Sequence, residues 1–329
     1  MQANIFVVRA AHIKPIIKIL EKLKIDTNKL LQQVGLNQNK IESEHKLVLE
    51  APVWKLLEIA AKELAMPHLG FYISEQLSLD KYGVFGAHLC HAENLQLALN
   101  TFIKNINTHT NYLNYWLEQD DNFIWVCRQG TPGIEFGKWQ VEQHIIGFII
   151  EIIKIYTGDK WYPQHLHIQD KLAEGLEYAT GLTKSTLKTN QPYTVIAVEK
   201  ALLTAKPSFQ KIETSTVDKL EKVIPHGFIN IIEVLMKQGY FDEDLNATTI
   251  AKVLNIPERK LQRRLKQYST TLNYLINEHK HSLAKTMLKK SIFSNEEISK
   301  HLGYSNVANF YRAFKLQCGQ TPKQFKKIS

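Results

Sequence analysis

Hydrophobic positions along the chain change their rhythm as it proceeds. Up to about residue 205, the three-and-four spacing of helices alternates with the every-second-residue spacing of strands. Helical spacing runs through "PVWKLLEIAAKEL", with Pro52 as a start signal, and through "NLQLALNTFIKNI", which puts Leu95, Leu99, Phe102, Ile103 and Ile106 on one face. "NYLNYWLE" and "NFIWVCRQ", joined by "QDD", read as a β-hairpin, with "QHLHIQ" and "PYTVIAVE" as further strands. The most apolar run, "IIGFIIEIIKIY" from Ile145 to Tyr156, is too short to span a bilayer and carries Glu151 and Lys154, so it predicts a buried core helix. Polar "TAKPSFQKIETST" (Thr204 to Thr216) breaks the pattern, and "VDKLEKVIPHGFINIIEVLMKQGYF" resumes it as helix. The expected fold class is α+β: a mixed α/β domain over residues 1–205, a linker over 206–217 and an all-α domain over 218–329.

Within the last part the pattern is duplicated. "LNATTIAKVLN" (Leu245 to Asn255) and "FSNEEISKHLG" (Phe293 to Gly303) each give an apolar residue, a capping residue (Asn246, Ser294) and a short helix stapled by Ile250 or Ile298; Ser294 and Glu297 add a capping box. Each is followed by a second helix, "KLQRRLK" or "NFYRAFK", with the inward pairs Leu261/Leu265 and Phe310/Phe314. "TTLNYL" and "QTPKQF" close the repeat, at an interval of 48 to 50 residues. A short capped helix, a tight turn and a second helix with a basic outer face is the helix-turn-helix pattern. Between the copies Leu272, Leu275, Ile276, Leu283 and Met287 share one face of a helix from about Thr271 to Lys289. Its length, roughly 28 Å, approaches the roughly 34 Å between successive major grooves on one side of B-DNA.

Charge sharpens this picture. Residues 241–329 hold 16 Lys plus Arg against 7 Asp plus Glu, whereas residues 1–240 hold 25 of each, so the whole net charge of +9 lies at one end. That distribution points to a polyanionic partner. Opposite Leu261 and Leu265 project Arg259, Gln262, Arg263 and Lys266, with Lys260 beside them; the second copy offers Asn306, Asn309, Arg312 and Lys315. Arginine can bond two acceptors of guanine and glutamine two sites of adenine, so these residues suit base readout as well as phosphate contact in double-stranded DNA. The plain alternative is a solvated basic face.

"LQRRL" and "ISKHLGYSNVANFYRAFKLQCGQTPKQF" resemble the double helix-turn-helix domain of the AraC/XylS transcription regulators. Pro257 stands where that family usually has a capping serine, leaving Asn255 as the expected local cap; Lys280 replaces an arginine, and Val307 and Ala308 are apolar at positions some members use for contacts. Further forward, "PHLGFYISEQLSLDKYGVFGAHL", "ENLQLALNTF" and "WYPQHLHI" resemble the arabinose-binding-like N-terminal domain of the subfamily that includes ornithine and virulence regulators. The resemblance implies sequence-specific regulation of promoters in the cytoplasm, a small-molecule effector or self-association at the front domain, a homodimer, and contact with RNA polymerase.

Tyr112, Tyr115, Trp116, Phe123, Trp125, Phe136 and Trp139 crowd one part of the front domain, and Tyr112, Trp116, Trp125 and Trp139 are the candidates for an effector pocket; an ordinary core and hairpin face fits the same pattern. Other chemistry has little footing. Cys90, Cys127 and Cys318 are too scattered for a thiolate cage and suit a reducing compartment, while "HLCH" and "HLH" lack a second pair of ligands, so no metal is expected. "MQANIFVVRAAHIK" has no signal-peptide form, and no membrane span is expected. No convergent catalytic set or cofactor fingerprint is present; a front-end enzyme tethered by the basic domain and a sequence-nonspecific architectural DNA binder are the competing readings.

Overall fold

In the computed structural model, residues 4–112, 114–208, 223–241, 245–290 and 292–328 are described. They form two compact units, a front unit over 6–226 and a second made of residues 4–5 with those from 227 onward. The expected linker over 206–217 lies mostly outside the described residues, as does residue 218, where the all-α domain was expected to begin. Residues 223–226 belong to the front unit, where Ile224 is fully buried and its N–H donates to the Asn107 carbonyl (3.0 Å).

The front unit opens with β1 (Val7–Arg9), then α1 (Ile13–Lys22), α2 (Thr27–Gln33) and α3 (Gln38–Ile41), before β2 (Leu47–Leu49) returns antiparallel to β1. Four helices follow: α4 (Glu50–Glu63), α5 (Leu69–Gln76), α6 (Gly83–Cys90) and α7 (Leu95–Asn105). Pro52 lies inside the first turn of α4, two residues after its start, where its missing N–H costs nothing. α7 is capped by Asn94, whose side chain accepts the Leu97 N–H (3.0 Å), and it buries Leu95, Ala98, Leu99 and Phe102.

The hairpin β3 (Tyr115–Gln119) and β4 (Phe123–Arg128) leads into α8 (Lys138–Thr157), and β5 (His165–His167), β6 (Thr186–Lys188) and β7 (Thr194–Glu199) complete a five-stranded sheet of order β3-β4-β7-β5-β6. All its pairings are antiparallel except β5 with β6. The apolar run Ile145 to Tyr156 is the C-terminal part of α8, which buries Ile146, Ile149, Ile150, Ile152 and Ile153. α8 packs closely on α5 because a Cβ at Gly70 would collide with the Gln140 carbonyl and one at Gly147 with the Ser74 hydroxyl. Among the described residues no helix is long and apolar enough to cross a membrane.

The second unit is helical: α9 (Phe228–Lys237), α10 (Ala247–Val253), α11 (Glu258–Gln267), α12 (Leu272–Lys290), α13 (Asn295–His301), α14 (Val307–Cys318) and α15 (Pro322–Ile328). α9 is amphipathic, burying Phe228, Ile231, Ile232, Leu235 and Met236. With 19 residues, α12 is about 28 Å long. Its N-terminal half buries Leu272, Leu275 and Ile276; its C-terminal half puts Ala284, Met287 and Leu288 into a core shared with Ile298, Leu302, Phe310 and Phe314.

Candidate nucleic-acid interface and effector cavity

The two copies of the repeat fold alike because they use the same local devices. Asn246 accepts the Thr249 N–H (2.9 Å) at the start of α10, and α13 opens on a full capping box: Ser294 Oγ accepts from the Glu297 N–H (3.1 Å) while the Glu297 carboxylate accepts from the Ser294 N–H (2.7 Å). Those bonds also hold the Glu297 carboxyl below its ordinary value. Both first helices end on a left-handed residue, Asn255 (φ 52°) and Gly303 (φ 69°). There the N–H of Ile256 reaches the Ala251 carbonyl and that of Tyr304 the Ser299 carbonyl, each at 3.0 Å.

Asn255 thus closes α10 rather than capping α11, the role the sequence suggested. Pro257 holds the N-cap of α11 without a side-chain bond. Asparagine tolerates the left-handed conformation better than other non-glycine residues, which is why the turn uses it.

The spacing between copies is 48 residues at the caps, Asn246 and Ser294, and 49 at the inward pairs. It reaches 50 at the left-handed residues Ser269 and Gly319 that end α11 and α14. One residue is added before α14 and another in its tail. Alignment on the buried pairs makes Arg263 equivalent to Arg312 and Lys266 to Lys315, whereas Arg259 corresponds to Ala308 and Gln262 to Tyr311.

Arg259, Gln262, Arg263 and Lys266 are exposed on α11 and Lys260 is half-buried; Arg312 and Lys315 are exposed on α14, Asn306 at its N-cap, and Asn309 is half-buried. Gln262 donates to Glu258 (3.2 Å). The Asn306 side-chain oxygen accepts the Asn309 N–H (2.8 Å), so that atom serves the helix start. Asn309 in turn donates to Ser305 Oγ and accepts from Arg312, both at 2.6 Å, which fixes the Arg312 guanidinium beside an amide. Arg264 turns the other way: its guanidinium lies 4.1 Å from the Phe228 ring centroid and donates to Asn4 (2.9 Å). Lys280 stands 5.3 Å from the Tyr304 ring, and burial lowers its ammonium pKa.

In the front unit a cavity of about 130 Å³ lies among α1, α4, α7, α8 and the β3–β4 hairpin. Ile13, Ile16, Val53, Leu57, Phe102 and Phe148 give it apolar walls. Of the four aromatic candidates only Tyr112 lines it. Trp116 and Trp125 lie on the other sheet face, their indole N–H groups bonded to Glu118 and Asp120 (2.8 Å each), and Trp139 donates to the Glu174 carbonyl (2.7 Å). Alternation along β3 explains the split, because Tyr115 points into the cavity and its neighbour Trp116 away.

Polar groups that no spacing rule gathers complete the lining. Glu50 is buried, accepts from Thr110 (2.6 Å) and Thr131 (2.8 Å), and is pushed up by burial against the pull of these bonds and of Arg128. His12, His109 and His144 meet at the other side, the first two rings 4.6 Å apart and edge-on. Burial brings His109 down to about 3, helped by the Arg9 guanidinium, and His144 to about 4; His12 is also held well down by burial, with the other two histidines and Arg9 adding to it. Arg9 itself donates to the Thr108 and His45 carbonyls. Among the described residues no three His, Cys, Asp or Glu side chains assemble as a metal would require.

Residues 25–206 match the family model described as the arabinose-binding domain of AraC transcription regulators, N-terminal, and residues 250–328 match a helix-turn-helix domain model. The transcriptional activator CsvR of Escherichia coli is 30% identical over 92 residues, 27% of this chain and 34% of that protein. The transcriptional regulator VqsM of Pseudomonas aeruginosa is 29% identical over 133 residues, 39% of this chain and 41% of that protein. The matched segments therefore span well under half the length of these relatives. Among solved structures, the transcriptional regulator CdpR from Pseudomonas aeruginosa covers 82% of this chain and 91% of its own at 16% identity, with a TM-score of 0.34.

Proposed function

The chain belongs to the AraC family of transcription regulators, and from that premise we propose that it binds one specific double-stranded DNA sequence through α11 and α14, under control of a small molecule held by the front unit. The observation that carries this is the equivalence of the two helix-turn-helix units. A side-chain-capped first helix, a left-handed residue at its end and a buried apolar pair on the second helix recur in both units and leave a guanidinium (Arg263, Arg312) and an ammonium (Lys266, Lys315) exposed at matching positions of both second helices. Arg259, Lys260 and Gln262 extend the first reading surface, Asn306 and Asn309 the second. Homodimerisation and contact with RNA polymerase are part of the proposal by family membership.

The test is an electrophoretic binding assay of the full chain on candidate promoter DNA across a salt series, with unrelated DNA as competitor. Specific binding should exceed non-specific binding by at least about a thousandfold and weaken steeply with salt as counterions are released. Binding that unrelated DNA competes away at equal concentration would favour an architectural protein instead.

A further inference from the structure

We propose that the front-unit cavity binds a small carboxylic acid as its anion, the carboxylate set against His109 and His144 and the hydrocarbon body against the apolar wall. The inference rests on the regulator reading above and names the chemical class of its effector.

Three observations converge. The size is right: an apolar cavity of about 150 Å³ holds a benzene ring, so about 130 Å³ here suits a hydrocarbon body of about five or six non-hydrogen atoms. The wall formed by Ile13, Ile16, Val53, Leu57, Phe102 and Phe148 offers such a body dispersion contacts but almost no hydrogen bonds, which disfavours a sugar.

Second, the polar end is unsatisfied. His109 is 1% exposed, yet neither ring nitrogen has a hydrogen-bond partner among the described residues, and the same holds for Nδ1 of His144. Buried polar atoms of this kind cost free energy unless something bonds them. The two histidines lie on different elements, just after α7 and within α8, yet both line one cavity.

Third, the fixed charge closest to the imidazoles is a cation. Arg9 is the charged group that presses on His12 and His109. Arg128 lines the opposite side of the cavity, where it pulls down the Glu50 and Glu142 carboxyls that burial pushes up. The remaining titratable neighbours, Tyr82, Tyr112 and Tyr115, are phenols whose ionisation burial opposes. Burial is what chiefly keeps the imidazoles neutral, with Arg9 adding to it on His12 and His109; an anion seated there opposes both, so its binding draws a proton onto one of them. A neutral ligand would gain no such proton.

The full chain is titrated calorimetrically with benzoate and hexanoate, and with benzamide and hexanamide as neutral counterparts, in two buffers of different ionisation enthalpy at about pH 6 and about pH 8. At least one acid should bind, its amide at least about tenfold more weakly. Up to about one proton should be taken up per acid bound, and affinity should fall by as much as about tenfold per pH unit across this range. His109→Gln keeps a donor and an acceptor but cannot titrate, so it should reduce proton uptake and weaken the acid, and His109→Gln with His144→Gln should abolish the uptake at these two sites. If that variant fails to melt cooperatively, His144→Gln takes its place, and the comparison of acid with amide needs no variant.

Equal binding of acid and amide, absence of proton uptake, or failure of both acids to bind overturns the proposal. DNA affinity is read separately. Sequence-specific DNA binding with no acid bound overturns the ligand class and leaves the regulator reading standing. Acid binding by a chain without DNA sequence preference does the reverse.

Discussion

At the scale of single residues, the two second helices separate roles that a bare count of basic residues merges. Arg263 and Arg312 occupy equivalent positions, and Arg312 is fixed by Asn309, which would preorganise its planar donor fork for the proposed base contact. Replacing either with alanine should cost about 1 to 3 kcal/mol on the cognate site and relax preference at one or two base pairs, measured by binding to a panel of single-substitution operators. Replacing Lys266 or Lys315 should instead weaken all sequences nearly alike and reduce the salt slope by about 1. In the proposed interface Asn306 would carry two functions, since its side-chain oxygen already caps α14. Asn306→Ala should lose about 1 kcal/mol of stability in urea denaturation; Asn306→Asp, which keeps the cap, should be near neutral for folding and lose only DNA affinity. Arg264 shows the limit of reading by composition: it sits among the same basic residues, but at an angle on the helix that brings it to Phe228 instead of solvent.

Elements, by contrast, were legible where a period is long enough to measure. α7, α12 and the paired helices of the repeat announce themselves through ten or more residues of consistent spacing or through a duplicated pattern. β1, β2 and β6 are three residues each, too short for alternation to register. The aromatic cluster misled for a related reason: residues adjacent in a strand face opposite ways, so Tyr115 and Trp116 cannot share a pocket. Close approach of α5 and α8 is likewise silent in the hydrophobic pattern, since Gly70 and Gly147 add no apolar signal. Gly147→Ala would press a methyl group into Ser74 and should destabilise the front unit by about 1 to 3 kcal/mol in chemical denaturation. The helix-turn-helix turn behaves differently. Asn255→Gly should fold as well as the parent, whereas Asn255→Val places a β-branched residue at φ 52° and should cost at least about 1 to 2 kcal/mol.

On the scale of the whole molecule, the sequence separates a neutral front from a basic end, but it does not disclose that the front gathers three imidazoles in its interior. His12, His109 and His144 come from positions more than thirty residues apart and meet only through folding. Their folded values lie below the ordinary histidine value of 6.5, so the unfolded chain binds more protons than the native one wherever the pH lies between the two. The stability they allow is complete above about pH 6.5 and drains away as the pH falls toward about 4. Glu50 and Glu142 act in the opposite sense, because burial raises them; their contribution is present at acid pH and lost as the pH rises through their folded values, so it offsets the imidazoles only in the lower part of that window. Thermal melting followed from about pH 7.5 to about 4.5 at constant ionic strength should therefore be flat at first and then decline. His109→Gln should make the decline shallower, since one proton-accepting site of the unfolded chain is gone. A melting temperature unchanged down to about pH 5 would mean that the imidazoles are not held neutral in the fold.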